Sequence, residues 1–345
     1  MELIFIYILS LVLGLTVGSF LNVVIFRTEK DQKITGRSFC PKCKKQILWY
    51  DNIPLLSFLL LGGRCRFCHK KISAQYPFVE GLTGLTFLLV TYLVFSNILN
   101  GWLGHYFSIA GIASLYQYYG LEISLQTLGF FLKLWELIFL WGIFSVFIMI
   151  FVYDRKHMLI PDVFTWIGII IAALYALITD VFIALSVFLS SNQNLILETA
   201  ALEKKQALLG NFPLNISSFF ALNKENFFSI IIHLKSNFPD QFIYSFIFSS
   251  HLGSGLVAGL SAALAFFLLV YFSKETWMGM GDVKLVFFLG LFLGIFKTIV
   301  ALFIGFEIGA LLGIYLMLSG RAKMKTALPF GPFLIIGAAL SLLFV

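Results

Sequence analysis

Long, uninterrupted apolar runs govern what this chain can become. They are Leu3–Phe26, Phe78–Phe95, Phe130–Val152, Val163–Leu189, Leu252–Phe272, Val283–Phe296, Ile299–Leu318 and Leu328–Val345. The hydrocarbon core of a bilayer takes about 20 apolar residues per helix. Backbone polar groups inside it must pair with protein, which restricts a spanning chain to helices or closed barrels. Val283–Phe296 is short for a full crossing; it is either extended by Gly279–Asp282 or lies partly within the bundle. Hydrophobic residues make up 60% of the 345 and charged residues only 12%, against about 25% charged in ordinary soluble domains. A soluble enzyme, a disordered chain and a disulfide-stapled secreted domain are all excluded. The expected fold is an all-α polytopic membrane protein with about eight transmembrane helices and a small cytoplasmic zinc-binding loop domain.

Charge sets the direction of threading. Of the 24 Lys and Arg, 11 fall between Arg27 and Pro77, opposed only by Glu29, Asp31 and Asp51. The next connection, Ser96–Gly129, has no Lys or Arg. The positive-inside rule places Arg27–Pro77 in the cytoplasm and the N-terminus outside. Tyr153–Asp162, Ser273–Asp282 and Ser319–Ala327, with Arg321, Lys323 and Lys325, then also face the cytoplasm, and Ser96–Gly129 and Ser190–His251 face outward. The net charge of +7 is thus a matter of topology, and no nucleic-acid partner is expected. The first run lacks a basic n-region and a small-x-small cleavage site, and reads as a permanent anchor. The expected organisation is residues 1–26 as the first span and 27–77 as a cytoplasmic tetracysteine domain. Residues 78–189 hold spans two to four with the exterior loop 96–129, 190–251 form an exterior insertion, and 252–345 hold spans five to eight. The insertion combines Lys204, Lys205, Lys224 and Lys235 with apolar patches such as Phe227–Ile232, as a small subdomain or an interfacial amphipathic cover would.

Two CxxC knuckles, Cys40-Pro-Lys-Cys43 and Cys65-Arg-Phe-Cys68, lie in the basic loop. Each delivers two thiolates from one tight turn, and four thiolates satisfy tetrahedral zinc. A reducing cytoplasm disfavours disulfides. With every position a cysteine there is no place for metal-bound water, so the expected zinc holds the loop and performs no hydrolysis.

Asp154 ends an apolar run in the string Asp154-Arg-Lys-His-Met-Leu-Ile-Pro161-Asp162, and Asp282 sits in Gly279-Met-Gly281-Asp282-Val-Lys284. Read singly, Asp154 balances Arg155 and Lys156, while Asp162 and Asp282 are helix caps. The topology nevertheless puts Asp154 and Asp282 on the same face of the membrane. Two adjacent carboxylates cannot both ionise easily and share a proton, giving a base for water and an acid for the leaving group. Gly279 and Gly281 let backbone and substrate approach closely. Asn22, Arg27 and Glu80 are candidates for substrate or methyl-donor contacts. Glu307 reads as a bundle-facing helix–helix hydrogen-bonding residue, and Gly14-x-x-x-Gly18 as a helix-packing pattern. His157 reads as interfacial.

The chain resembles the type IV prepilin peptidases, also called leader peptidase/N-methyltransferases, which are GxGD-type membrane aspartic proteases. The matching stretches are Gly18-Ser-Phe-Leu-Asn-Val-Val-Ile25 with Arg27, Cys40-Pro-x-Cys43, Asn52-Ile-Pro54 with Ser57, Cys65-x-x-Cys68, Tyr76-Pro-x-Val-Glu80, Asp154 through Ile160-Pro-Asp162, Gly279-x-Gly-Asp282-Val-Lys-Leu285, and Pro329-Phe-Gly-Pro332. The resemblance implies an inner-membrane enzyme that removes the basic leader of type IV prepilins or type II secretion pseudopilins after a Gly, at the cytoplasmic face. It implies Asp154 and Asp282 as the catalytic pair, and Cys40, Cys43, Cys65 and Cys68 as the metal set. It also implies methylation of the new N-terminus from S-adenosylmethionine, which the tetracysteine loop favours. The alternatives are a peptidase without methylation and a non-enzymatic zinc-ribbon scaffold. The chain departs from the family pattern in having Thr28-Glu29 after Arg27, where a Pro is usual two residues on, and in its two long exterior segments. Asp51 and Glu80 are candidate guides for a basic leader; otherwise the loop's cations serve anionic lipid.

Overall fold

The computed structural model describes residues 2–96, 125–181, 250–276, 278–321 and 328–344. Most of the exterior segments 96–129 and 190–251, and the cations Lys323 and Lys325, lie outside the described residues. Within them the chain is helical, with two isolated β-bridges and no strand. The helices are α1 (Glu2–Glu29), α2 (Leu56–Leu60), α3 (Gln75–Phe95), α4 (Leu125–His157), α5 (Asp162–Val181), α6 (His251–Ser273), α7 (Met280–Leu318) and α8 (Gly331–Phe344). Six are long and apolar enough to cross a membrane, and α8 is a shorter apolar helix. The chain is a multi-pass membrane protein. Where the ends are described, the helices run past the apolar runs that announced them: α1 continues to Glu29, α3 begins at Gln75 and α4 ends at His157.

α7 is two helices. A straight helix of its 39 residues would extend about 58 Å. Its first part runs antiparallel to α6, since the backbone of Leu291 closes on Gly255 and that of Phe287 on Gly259. Gly294 stands beside Ser254, yet Phe306, twelve residues further, packs on Phe266 with ring centroids 6.0 Å apart. The chain therefore reverses at Gly294, whose φ of 72° and ψ of −178° are open to glycine and costly to other residues. The arms 280–293 and 295–318 correspond to the two separate runs in the sequence. With α1, α3, α4, α5, α6 and α8 they make the eight apolar helices expected.

Small residues set the remaining contacts, as is usual where lipid gives helices no hydrophobic reason to associate. Gly14 and Gly18 of α1 meet Gly84 and Glu80 of α3 so closely that a Cβ on either would lie 2.8 Å from the neighbouring Cα. The Gly-x-x-x-Gly pattern is thus a packing seam. α3 reaches α4 through Phe87 and Trp141, whose rings stack 4.8 Å apart. Phe288 of the first α7 arm packs on Gly168 of α5 and Phe147 of α4. The second arm takes α8 against Gly305 and Ala301. Glu307 lies between Gly305 and Gly309, both of which face α8, so it points the other way and is exposed. The expected bundle-facing role for Glu307 is therefore corrected. At the opposite end from the α4–α5 link, the Asp180 carboxylate accepts the Nα–H groups of His251 and Leu252 at 2.7 and 2.9 Å, capping α6 with a negative charge.

Candidate active site

Asp154 occupies the last turn of α4. Met158 stops that helix with φ of +52°, and its N–H is given to the Asp154 carbonyl at 2.7 Å. The short link through Ile160 and Pro161 then starts α5. Asp162 is the first helical residue, but its carboxylate accepts from Lys284 Nζ at 2.6 Å and caps nothing in its own helix, which corrects the expected N-cap. The Asp154 side chain is 4% exposed, and its Oδ2 accepts the Gly331 N–H at 3.0 Å. Asp282 stands in the first turn of α7, and its Oδ2 accepts the Gly279 N–H at 3.2 Å. Gly281 packs on Ile160, with room for a Cβ only 3.0 Å from the Ile160 Cβ. The ends of α4, α7 and α8 thereby meet around two carboxylates close enough to feel each other's charge. This is the pair the topology anticipated, 128 residues apart in sequence. The sequence reading missed Gly331 as a partner, although Pro329-Phe-Gly-Pro332 marks its position.

The other face of the α4 terminus looks toward α1. Lys156 Nζ donates to Glu29 Oε2 at 2.6 Å, and His157 Nε2 lies 3.7 Å from the same oxygen. Beyond this ion pair lies the tetracysteine subdomain. Its two knuckles are built alike. Cys40 N–H bonds Lys45 O and Cys65 N–H bonds Lys70 O, and the residue after each second cysteine, Lys44 or His69, takes a positive φ. A β-bridge closes each hairpin, Phe39 to Gln46 and Arg64 to Lys71. The four sulfurs lie within 4.8 Å of one another. Tetrahedral zinc with 2.3 Å bonds needs sulfurs about 3.8 Å apart, so a small contraction completes the site. The Cys68 N–H draws the Cys65 thiol down to about 7, against burial and with help from the Phe67 N–H. At Cys43 the Lys45 N–H pulls downward, but burial and the thiols of Cys40, Cys68 and Cys65 prevail and push it up to about 11. The Cys65 thiolate forms readily, while the Cys43 thiol keeps its proton until a cation displaces it.

A cavity of about 500 Å³ opens between this subdomain, α1, α2 and the start of α3. Asn22, Arg27 and Glu80, named separately from the sequence, all line it. Asn22 donates to the Tyr76 carbonyl at 3.0 Å, while its buried Oδ1 has no partner. A buried acceptor left so costs about 1–3 kcal/mol. Glu80 Oε2 accepts the Leu55 N–H at 2.8 Å. Arg27 is buried with its terminal nitrogens turned on the carbonyls of Lys33, Ile34, Thr35, Gly36 and Arg37, so it gathers the segment that leads into the first knuckle. Asp51 is held by Arg66 through two bonds of 2.8 and 2.6 Å. Neither acid considered as a leader guide is therefore unengaged.

Two family models match the chain: the bacterial peptidase A24 N-terminal domain over residues 12–94 and the type IV leader peptidase family over residues 227–314. A prepilin leader peptidase/N-methyltransferase of Myxococcus xanthus is 61% identical over 77 residues, 22% of this chain and 23% of that protein. One from Vibrio cholerae is 32% identical over 184 residues, 51% of this chain and 58% of the relative. One from Legionella pneumophila is 27% identical over 98% of this chain and 91% of its own length. The matches to the first two thus span about a quarter and somewhat over half of the relative. No solved structure matches.

Proposed function

We propose that the chain, which both family models and the prepilin peptidase relatives match, is a member of the type IV leader peptidase family: an inner-membrane aspartic endopeptidase that removes prepilin or pseudopilin leaders and then methylates the new N-terminus. The observation that carries the first activity is the convergence of Asp154 and Asp282 at the ends of α4 and α7, each anchored by one backbone N–H. In such a pair one carboxylate holds the proton while the other is ionised. The ionised one takes a proton from water as its oxygen attacks the scissile carbonyl. The protonated one hands its proton to the departing amine as the C–N bond breaks. The N–H groups of Gly331 and Gly279 hold the two carboxylates in place for these transfers, which is worth most in a site with little bulk water.

The basic loop 27–77 sets the orientation, with the N-terminus outside and the carboxylate pair toward the cytoplasm. A prepilin helix lying in the bilayer presents its leader junction at that level. With Asp51 and Glu80 engaged, the cations of the loop are directed to anionic lipid headgroups. Cys40, Cys43, Cys65 and Cys68 would hold zinc, which would staple the two knuckles. S-adenosylmethionine would supply the methyl group, with Asn22, Arg27 and Glu80 as the residues that would contact it or the substrate.

The test is co-expression with a prepilin, read by intact mass. Wild type should yield a product lacking its leader and carrying one added methyl. Asp154→Asn and Asp282→Asn should each slow cleavage by roughly 10²–10⁴-fold while the protein remains in the membrane. Full cleavage by either variant would overturn the assignment of the pair. Cleavage without the methyl in wild type would leave a peptidase alone.

A further inference from the structure

We propose that α2 and the turn before it dip into the membrane and rest on the acyl chains of the leaflet that meets the C-terminal end of α1, the cytoplasmic leaflet under the threading above. α2 divides its faces. Ser57 and Phe58, with Leu61 just beyond the helix, line the cavity, while Leu56, Leu59 and Leu60 lie outside it, Leu59 and Leu60 with 74% and 78% of their surface exposed. The 3-10 turn Trp49–Asn52 adjoins α2 and adds Trp49, also 78% exposed, and Ile53 follows it, exposed as well. Large apolar side chains clustered in this way mark an interaction surface. Asp51 is the only acid in residues 48–64, and Arg66 pairs with it through two bonds. The same guanidinium lies 5.2 Å from the centre of the Tyr50 ring. An indole, a tyrosine backed by a cation, and leucines with no unpaired acid beside them have the composition of a membrane interface.

Depth and side decide the occupant. The Leu55 N–H bonds Glu80 Oε2 at 2.8 Å, and Leu55 Cδ2 would stand 4.0 Å from a Cβ on Gly81, so α2 starts beside the second turn of α3. Glu80 packs in turn on Gly18 of α1. That level is two residues inside the apolar run that opens at Phe78 and eight inside the run that closes at Phe26, or about 3 and 12 Å by helical rise. On α3, at about 100° per residue, Phe78, Leu85, Leu89 and Tyr92 all fall within about 80° of Gly81, and all four are exposed. α2 therefore continues the lipid-facing stripe of α3. Backbone at such depth needs partners inside the protein, and the Glu80 carboxylate supplies one to Leu55, which enters the helix at a φ of 59°. A prepilin at the carboxylate pair would lie against α4, α7 and α8, whereas α2 rests on the outer stripe of α3, which makes lipid its occupant. The tetracysteine subdomain is then fastened to the membrane at a third point besides α1 and α3.

The test is photolabelling of the full chain in vesicles of phosphatidylethanolamine and phosphatidylglycerol that carry a diazirine within an acyl chain, with the adducts mapped by mass spectrometry. It involves no turnover, so its failure leaves the peptidase reading untouched. Residues 49–61 should be labelled as heavily as residues 85–92 of α3, which serve as the internal standard. Labelling of 49–61 about tenfold below that standard would place the segment in water and overturn the proposal. Low lipid labelling together with cross-links from 49–61 to an added prepilin, or to a second copy of the chain, would overturn it in favour of that occupant. Leu59→Asp combined with Leu60→Asp should cut adducts in 49–61 by about tenfold, with residues 85–92 labelled as before and residues 27–77 as resistant to protease as in wild type. Unchanged labelling of 49–61 in that variant also counts against it, and if the variant loses its protease resistance the wild-type pattern alone decides.

Discussion

Gly331 gives its N–H to Asp154 at 3.0 Å, and the same closeness leaves no room for a side chain: a Cβ there would stand 2.7 Å from the carboxylate oxygen. Gly331→Ala should therefore displace the carboxylate and cut the rate of the proposed leader removal by about 10²-fold, the scale of a 1 Å misplacement at a reacting group. Initial rates on a purified prepilin, beside a circular dichroism spectrum, check this. The meeting of the two acids was legible because a carboxylate at the edge of an apolar run is conspicuous, and because the expected threading put both on one side. Gly331 was not singled out, since nothing in an apolar string says which N–H will find a residue 177 positions earlier. Glu307 was misjudged for a related reason. Its direction depends on which face of α7 the glycines turn toward α8, and that face is known only once α8 is docked.

Among the elements, the two knuckles were fully foreseen, because C-x-x-C spacing dictates a local turn that needs no tertiary help. Metal analysis should find one zinc per chain. Cys65→Ser should lose it and expose residues 27–77 to proteolysis while α4–α8 stay protected. Acidification should release the metal as protons compete for the thiolates, which a chromophoric chelator can follow. The reversal inside α7 was only half visible. The sequence offered two runs, one of them short, but a single glycine between apolar neighbours does not announce a turn. Gly294→Ala should destabilise the folded chain by about 1–3 kcal/mol, measurable as a lower midpoint of denaturant unfolding in detergent.

For the whole molecule, the proposed threading rests on one contrast: 11 basic residues in Arg27–Pro77 against none in Ser96–Gly129. Alkaline phosphatase fused after Ser96 should be active and the same reporter fused after Lys45 inactive; the reverse pattern would invert the orientation. The packing order of the helices was beyond the sequence. It rests on close approaches at Gly14, Gly18, Gly255, Gly259 and Gly305, and each of those is an agreement between two surfaces that one string of letters does not display. The turn at Gly294 adds a constraint of a different sort, one of phase. Counting back from it along the first arm of α7 fixes both the height and the compass bearing of Asp282. One residue inserted into that arm would swing Asp282 through about 100° and shift it about 1.5 Å, off the bearing of Asp154. The arm is therefore free to vary its letters but not its length.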